Sequence, residues 1–300
     1  MPEPLPRDGE PEPLFRTGEL GLAVFLNAGD PPGGLADLAH TLDEAGVEVL
    51  ELAVPFPNSP TDGPVIRRSA ARALAAGTTL DTVLAELADL TPRLRTLKVV
   101  LLADWSHSLR HRDPAALARA VAASGARALL VHALPPRLRA TWQHALEQAG
   151  LPQVTTCYPA STPETLTAAA RGAAGAYVYL VAHYGRSGTA PGAGHRALAE
   201  TVTALREAAP GVRVAVGFGV RTAADLDAVA AAGADAAIVG SAAVARLEQA
   251  HREGRDTAAD LRAFLTDLRT PRPPQPADAP GSTTGTTTPT GTTTPAITVS

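Results

Sequence analysis

Eight short runs of apolar, β-forming residues recur along the chain, each followed by a stretch with helical periodicity, and this repeat limits the architecture more than any other feature. The runs are "LGLAVFL" (20–26), "VEVLELAV" (47–54), "LKVVLLA" (97–103), "RALLVH" (127–132), "PQVTTCY" (152–158), "GAYVYLV" (175–181), "VRVAVGF" (212–218) and "ADAAIVG" (234–240). None alternates strictly between apolar and polar positions. Each therefore reads as a strand covered on both faces, as a parallel sheet flanked by helices requires. In "LADLAHTLDEAG" (35–46), Leu35, Leu38, Ala39 and Leu42 fall on one helical face, and Gly46 stands at the stop position. Eight β-then-α units over about 250 residues predict an α/β fold, a single closed (β/α)8 TIM barrel over residues 18–269. An open doubly wound sheet is the alternative. No glycine-rich dinucleotide fingerprint follows the first strand, however, where "NAGDPPGG" breaks the spacing.

The two ends read differently. Residues 1–17 are rich in Pro and Glu, and residues 270–300 form a Pro/Thr/Gly tail with too little apolar surface to offset ordering entropy, so both are expected to be disordered extensions. The opening "MPEPLPRDGEPEPLF" lacks a basic and then apolar leader, and no apolar run approaches the length of a bilayer span, which predicts a cytoplasmic chain with no membrane contact. A net charge of −4 with interspersed signs gives no basic stripe for nucleic acid. Cys157 is the only cysteine, which excludes an intrachain disulfide and reads as a small buried hydrophobe in a strand.

Within this layout two carboxylates stand out. Glu51 lies toward the C-terminal half of the second strand, and Asp62 lies in the Pro/Gly-rich loop that leaves it, "PFPNSPTDGP" (55–64). Reacting groups of such barrels gather at the C-terminal strand ends and the loops after them, so both are expected at the mouth. An apolar strand raises the pKa of Glu51, whereas a polar loop keeps Asp62 ionised, which separates a proton donor from an acceptor. A Glu capping a loop and an Asp in an Asx-turn before Gly63 fit the same spacing, and the residues alone leave both readings open. Later, "VGFGV" (216–220), "VGSAAV" (239–244, opening a short helix) and "GRSG" (185–188) place small residues after the seventh, eighth and sixth strands. Bare backbone N–H groups there, with a helix N-terminus, suit a phosphate-bearing ligand.

The segments "NAGDP" (27–31), "ELAVPF" with "DGPVI" (51–66), the helix start "AARALAAG" (70–77), "YVYLV" (177–181), "GFGV" (217–220) and "VGSA" (239–242) resemble the tryptophan synthase alpha chain family, in order and at matching spacing. The resemblance implies retro-aldol cleavage of indole-3-glycerol phosphate to indole and glyceraldehyde 3-phosphate, with no metal or organic cofactor. It implies that Glu51 is the acid/base that protonates indole C3 and takes the side-chain hydroxyl proton, and that Asp62 receives the indole N–H. By the same likeness Tyr179 is the active-site tyrosine, and Gly188, Phe218, Gly219, Gly240 and Ser241 surround the substrate and its phosphate. The implied partner is a tryptophan synthase beta chain in a heterotetramer.

Some loops depart from the family pattern. Ala53 and Pro57-Asn58-Ser59 replace Gly and Ser-Asp-Pro, Asp104-Trp105-Ser106-His107 replaces Tyr-Tyr-Asn-Pro, and Ala133-Leu134-Pro135 replaces Asp-x-Pro. The lid turn Gly-Val-Thr-Gly becomes Gly185-Arg186-Ser187-Gly188. These are loops that in the family line the indole pocket and face the beta chain, so a stand-alone indole-releasing lyase is a second expectation.

Rival chemistries meet specific obstacles. A Schiff-base aldolase needs a lysine at the mouth, and the only lysine, Lys98, opens the third strand at the opposite end. A metal-dependent sugar-phosphate epimerase or aldolase could draw on His107, His132 and His183, which follow three separate strands with no carboxylate evident beside them. His107 and His111 at i, i+4 spacing read as a solvated helix start, and Trp105 and Trp142 as packing. A non-catalytic barrel scaffold has no use for a semi-buried Glu51.

Overall fold

The computed structural model describes residues 12–182, 193–217 and 219–270. Every predicted run contains a strand: β1 (Gly21–Asn27), β2 (Val49–Ala53), β3 (Lys98–Asp104), β4 (Ala128–His132), β5 (Thr155–Cys157), β6 (Val178–Val181), β7 (Val214–Gly217) and β8 (Ala236–Val239). The helices between and after them are α1 (Leu35–Glu44), α2 (Pro64–Ala75), α3 (Leu80–Leu90), α4 (Pro114–Ala123), α5 (Arg139–Gln148), α6 (Pro163–Gly172), α7 (Ala193–Ala208), α8 (Ala223–Ala231), α9 (Ser241–Arg252) and α10 (Thr257–Arg269). The strands pair in parallel in the order β4-β3-β2-β1-β8-β7-β6-β5. Leu129 closes the ring: its N–H donates to the Pro152 carbonyl and its own carbonyl accepts from Val154 N–H, both at 3.0 Å. The sheet is thus a barrel and not an open doubly wound sheet.

Outward strand residues such as Leu50, Leu52, Val99 and Leu101 pack under the helices, while Ala23, Val49, Val100, Ala215, Ala236 and Ile238 belong to a separate inner cluster. Strands buried on both faces explain the unbroken apolar runs.

Two boundaries differ from expectation. Leu14 and Phe15 are buried, within the segment expected to be a disordered extension. The Phe15 ring lies 5.2 Å from that of Tyr177, at the N-terminal ends of the strands, and Lys98 there pairs with Glu12 at 3.2 Å. A Pro/Glu-rich composition hid two large apolar side chains that close this end of the barrel. Helix α2 starts at Pro64, not at residue 70, with Gly63 as N-cap. Proline fits the first helical position because its missing N–H would be unpaired there anyway. The tail over 271–300 lies outside the described residues. Cys157 is buried, and burial pushes its thiol up to about 12, as a packing residue requires. Trp142 is buried on α5.

Candidate active site

Glu51 sits at the centre of β2, fully buried, and its carboxyl Oε1 accepts a 2.5 Å hydrogen bond from the Tyr177 hydroxyl. Its Oε2 is buried without a partner among the described residues. Burial raises the Glu51 pKa to about 8, against the opposing pull of the Tyr177 hydrogen bond. At neutral pH the group is therefore a carboxylic acid, and an unpartnered oxygen is tolerable on a neutral acid where it would be very costly on a carboxylate. The expected orientation needs correction. Glu51 does not line the mouth cavity: its carboxyl turns toward Tyr177, a fully buried phenol whose hydroxyl needs an acceptor.

The mouth holds two neighbouring cavities. One, of about 340 Å³, lies over the ends of β1 to β6 and is walled by Phe25, Phe56, Leu102, Leu130, Tyr158 and Tyr179, with Asp62, Asp104 and His132 among its polar groups. The other, of about 360 Å³, lies at the ends of β7 and β8 and is lined by Gly219, Arg221, Gly240, Ser241 and Ala242. Phe25, Asp62 and Tyr179 line both. Asp62 and Tyr179 thus stand where an apolar compartment meets a glycine-rich one.

Local sequence explains this construction. Helix α9, a full 12 residues long and not the short helix expected, starts at Ser241 with Gly240 as N-cap, and a glycine there supplies no side-chain cap, which leaves first-turn N–H groups for a ligand. Gly219 has φ +96°, a conformation that a side chain resists. Gly217 serves a different purpose: a Cβ there would come within 2.5 Å of Tyr179 Cζ, so its bareness makes room for the tyrosine ring. Burial and the nearby Glu51 and Asp62 hold the Tyr179 pKa well above the usual phenol value, so it remains a hydrogen-bond donor. Gly188, Phe218 and the "GRSG" turn lie outside the described residues, as does His183.

Several supporting residues escaped the sequence reading. Asn27 at the end of β1 donates to Ile66 O (3.2 Å) and Ser69 Oγ (3.0 Å), fixing the start of α2 behind the Asp62 loop. Asp30 accepts two bonds from Arg72 (2.8 and 2.7 Å), and Arg72 and Arg68 together hold Glu248 of α9. Bonds to Arg68, opposed by partial burial, keep Glu248 ionised with a pKa of about 2. The signal was present: "NAGDP" supplies the acceptor, and Arg68 and Arg72 are spaced i, i+4 on one helix. Arg221, the guanidinium beside the glycine-rich cavity, was also missed, although it directly follows "GFGV".

The histidines are arranged otherwise than expected, because a carboxylate does stand beside them. Asp104, 4% exposed, receives His107 Nδ1 (2.7 Å) and His107 N–H (2.9 Å) on Oδ1, and His132 Nδ1 (2.9 Å) on Oδ2. Burial opposes ionisation, but these bonds hold the Asp104 pKa below the usual carboxylate value. His107 belongs to a π-helical turn, Trp105–Leu109, and His111 lies beyond it, where Arg110 Nε reaches its Nε2 at 2.8 Å. Among the described residues, no group of three or more His, Cys, Asp or Glu is placed to hold a metal ion.

Comparison with known proteins gives a consistent result. A family model described as "Tryptophan synthase alpha chain" matches residues 14–271. Tryptophan synthase alpha chains of Burkholderia pseudomallei and Burkholderia ambifaria are 37% and 36% identical over 257 residues, covering 85% of this chain and 92% of each relative. Among solved structures, the alpha subunit of Legionella pneumophila matches with a TM-score of 0.73 at 26% identity, covering 84% of this chain and 92% of that one. A tryptophan synthase structure from M. tuberculosis, in its aminoacrylate-bound form, matches with a TM-score of 0.69 at 29% identity, covering 83% of this chain and 92% of the other.

Proposed function

Because the chain belongs to the tryptophan synthase alpha chain family, a family of lyases, we propose that it cleaves indole-3-glycerol phosphate to indole and glyceraldehyde 3-phosphate. The observation that carries this reading is the shared boundary of the two cavities, where Asp62, Phe25 and Tyr179 separate an aromatic-walled space from a glycine-rich one. The indole ring fills the first. The phosphate meets the Gly219 and Gly240 backbone, Ser241, the uncapped start of α9 and Arg221 in the second.

Chemistry follows from the two carboxyl groups. Asp62 accepts the indole N–H and stabilises positive charge as the ring becomes protonated at C3. Glu51, neutral at pH 7 by virtue of its burial, supplies that proton after rotating from Tyr177 toward the cavity. The resulting carboxylate then removes the proton of the hydroxyl next to C3 on the side chain. That oxygen forms the aldehyde as the carbon–carbon bond breaks, and the bonding pair returns to the ring. Glu51 ends protonated as it began, and Tyr177 holds the acid when it is not engaged.

The reading extends to partners. Pairing is with a tryptophan synthase beta chain shaped to fit Pro57-Asn58-Ser59 and the Asp104–His107 turn, and a generic beta chain binds weakly. Incubating the purified chain with indole-3-glycerol phosphate, with and without such a beta chain, tests both parts. Indole release supports the reaction, and its absence in both mixtures refutes it. A stable complex with a generic beta chain in analytical ultracentrifugation would refute the altered pairing.

A further inference from the structure

The aromatic-walled cavity contains a polar pair that cleavage of an unsubstituted indole leaves without a task. Asp104 ends β3 and His132 ends β4, neighbouring strands in register, and both line the cavity. An ionised carboxylate only accepts, so His132 Nδ1 donates to Asp104 Oδ2 at 2.9 Å, which sets the Nδ1–H tautomer with Nε2 as the acceptor. Among the described residues, the partner of that Nε2 is Thr61 Oγ1 at 3.5 Å, at the limit of a hydrogen bond. Phe56 stacks on His132 at 5.6 Å and on His107 at 5.4 Å, so one aromatic ring packs against both imidazoles that bond Asp104. The result is an acceptor backed by a nearly buried anion, in a wall to which β3 and β4 otherwise contribute Leu102, Ala103 and Leu130.

We propose that the Asp104–His132 pair selects a substrate whose indole carries a hydrogen-bond donor, such as a hydroxyl, on its six-membered ring. This inference rests on the proposed reaction for the ring's orientation. With C3 and its side chain toward the glycine-rich cavity and N–H toward Asp62, the six-membered ring points away from both, into the wall formed by β3 and β4. An unsubstituted ring edge there strips water from His132 Nε2 and Asp104 without replacing its hydrogen bonds, whereas a ring hydroxyl donates to Nε2. Sites built to bond a substrate hydroxyl discriminate strongly against analogues that lack it.

Calorimetric titration of the full chain with indole, and with each isomer hydroxylated on the six-membered ring, tests this without requiring turnover. At least one hydroxyindole is expected to bind about tenfold more tightly than indole, and the preference is expected to fall to about twofold or less when Asp104→Leu is combined with His132→Phe. The single His132→Phe variant keeps the stacking on Phe56 and, should the double variant fail to fold, must by itself reduce the preference at least about threefold. Equal binding of indole and every hydroxyindole by the wild-type chain, binding of none, or a preference that survives both variants overturns the proposal. Loss of indole-3-glycerol phosphate cleavage alongside a retained hydroxyindole preference would instead overturn the proposed reaction and leave this selectivity standing.

Discussion

The Tyr177 hydroxyl donates to Glu51 Oε1 at 2.5 Å across 126 residues of sequence, and both side chains are fully buried. This bond ties a titratable group at the centre of β2 to a residue just before β6. It determines how the acid is stored.

Removing the donor with Tyr177→Phe leaves a second Glu51 oxygen without a partner. A stability loss of about 1–3 kcal/mol is expected in urea melts. Because the bond lowers the Glu51 pKa, its loss should also move the alkaline limb of the kcat/KM profile to higher pH. An unmoved limb would show that Glu51 does not control it.

Glu51→Gln should lower turnover at least about a hundredfold with the fold retained, and Asp62→Asn likewise. The first substitution also has a thermodynamic signature. Folded Glu51 keeps its proton up to about pH 8, while the unfolded chain releases it near the ordinary value of 4.5. Between those values the native state binds more protons, so stability is fully present below pH 4.5 and declines as pH rises toward 8, by up to about 1.4 kcal/mol per unit. The Gln variant should lack this slope in thermal melts across the same window.

Asp43 tests the opposite sign. Burial disfavours its charge, but N–H groups of Arg95, Thr96 and Leu97 and the Thr96 hydroxyl hold its pKa at about 2. Its contribution is present above pH 3.8 and is lost as pH falls through about 2, so Asp43→Asn should flatten the acid limb of the stability profile. The same change should cost about 1–3 kcal/mol at neutral pH, measured by urea unfolding.

Gly217→Ala places a methyl group against the Tyr179 ring. A stability loss of about 1–3 kcal/mol and a turnover loss of tenfold or more are expected, because the ring that lines both cavities has to move. Combining it with Tyr179→Leu should restore much of the stability but not the turnover.

Ala133, immediately after His132, has φ +54°, in the left-handed region. Ala133→Gly should raise stability by about 1 kcal/mol by relieving that backbone, as read from the melting temperature. No gain would mean that glycine's greater freedom in the unfolded chain cancels the relief.

The sequence by itself determined the barrel, because strand identity, helix periodicity and turn glycines are local properties, and eight such units have few ways to bury both sheet faces. It also placed Asp62, Gly240 and Ser241 at the mouth, since each follows the C-terminal end of a strand and that order is local. Tertiary structure decided the rest. Glu51 was expected to face the mouth, but its rotamer depends on Tyr177, which no local pattern connects to it. Leu14 and Phe15 read as part of a polar extension until the open end of the barrel gave them a surface to cover. Three histidines appeared to lack a carboxylate, yet Asp104 joins His107 and His132 because the register of β3 against β4 sets Asp104 opposite His132. Side-chain partners of this kind arise from strand pairing and packing between distant segments, and a linear pattern carries no distance between them.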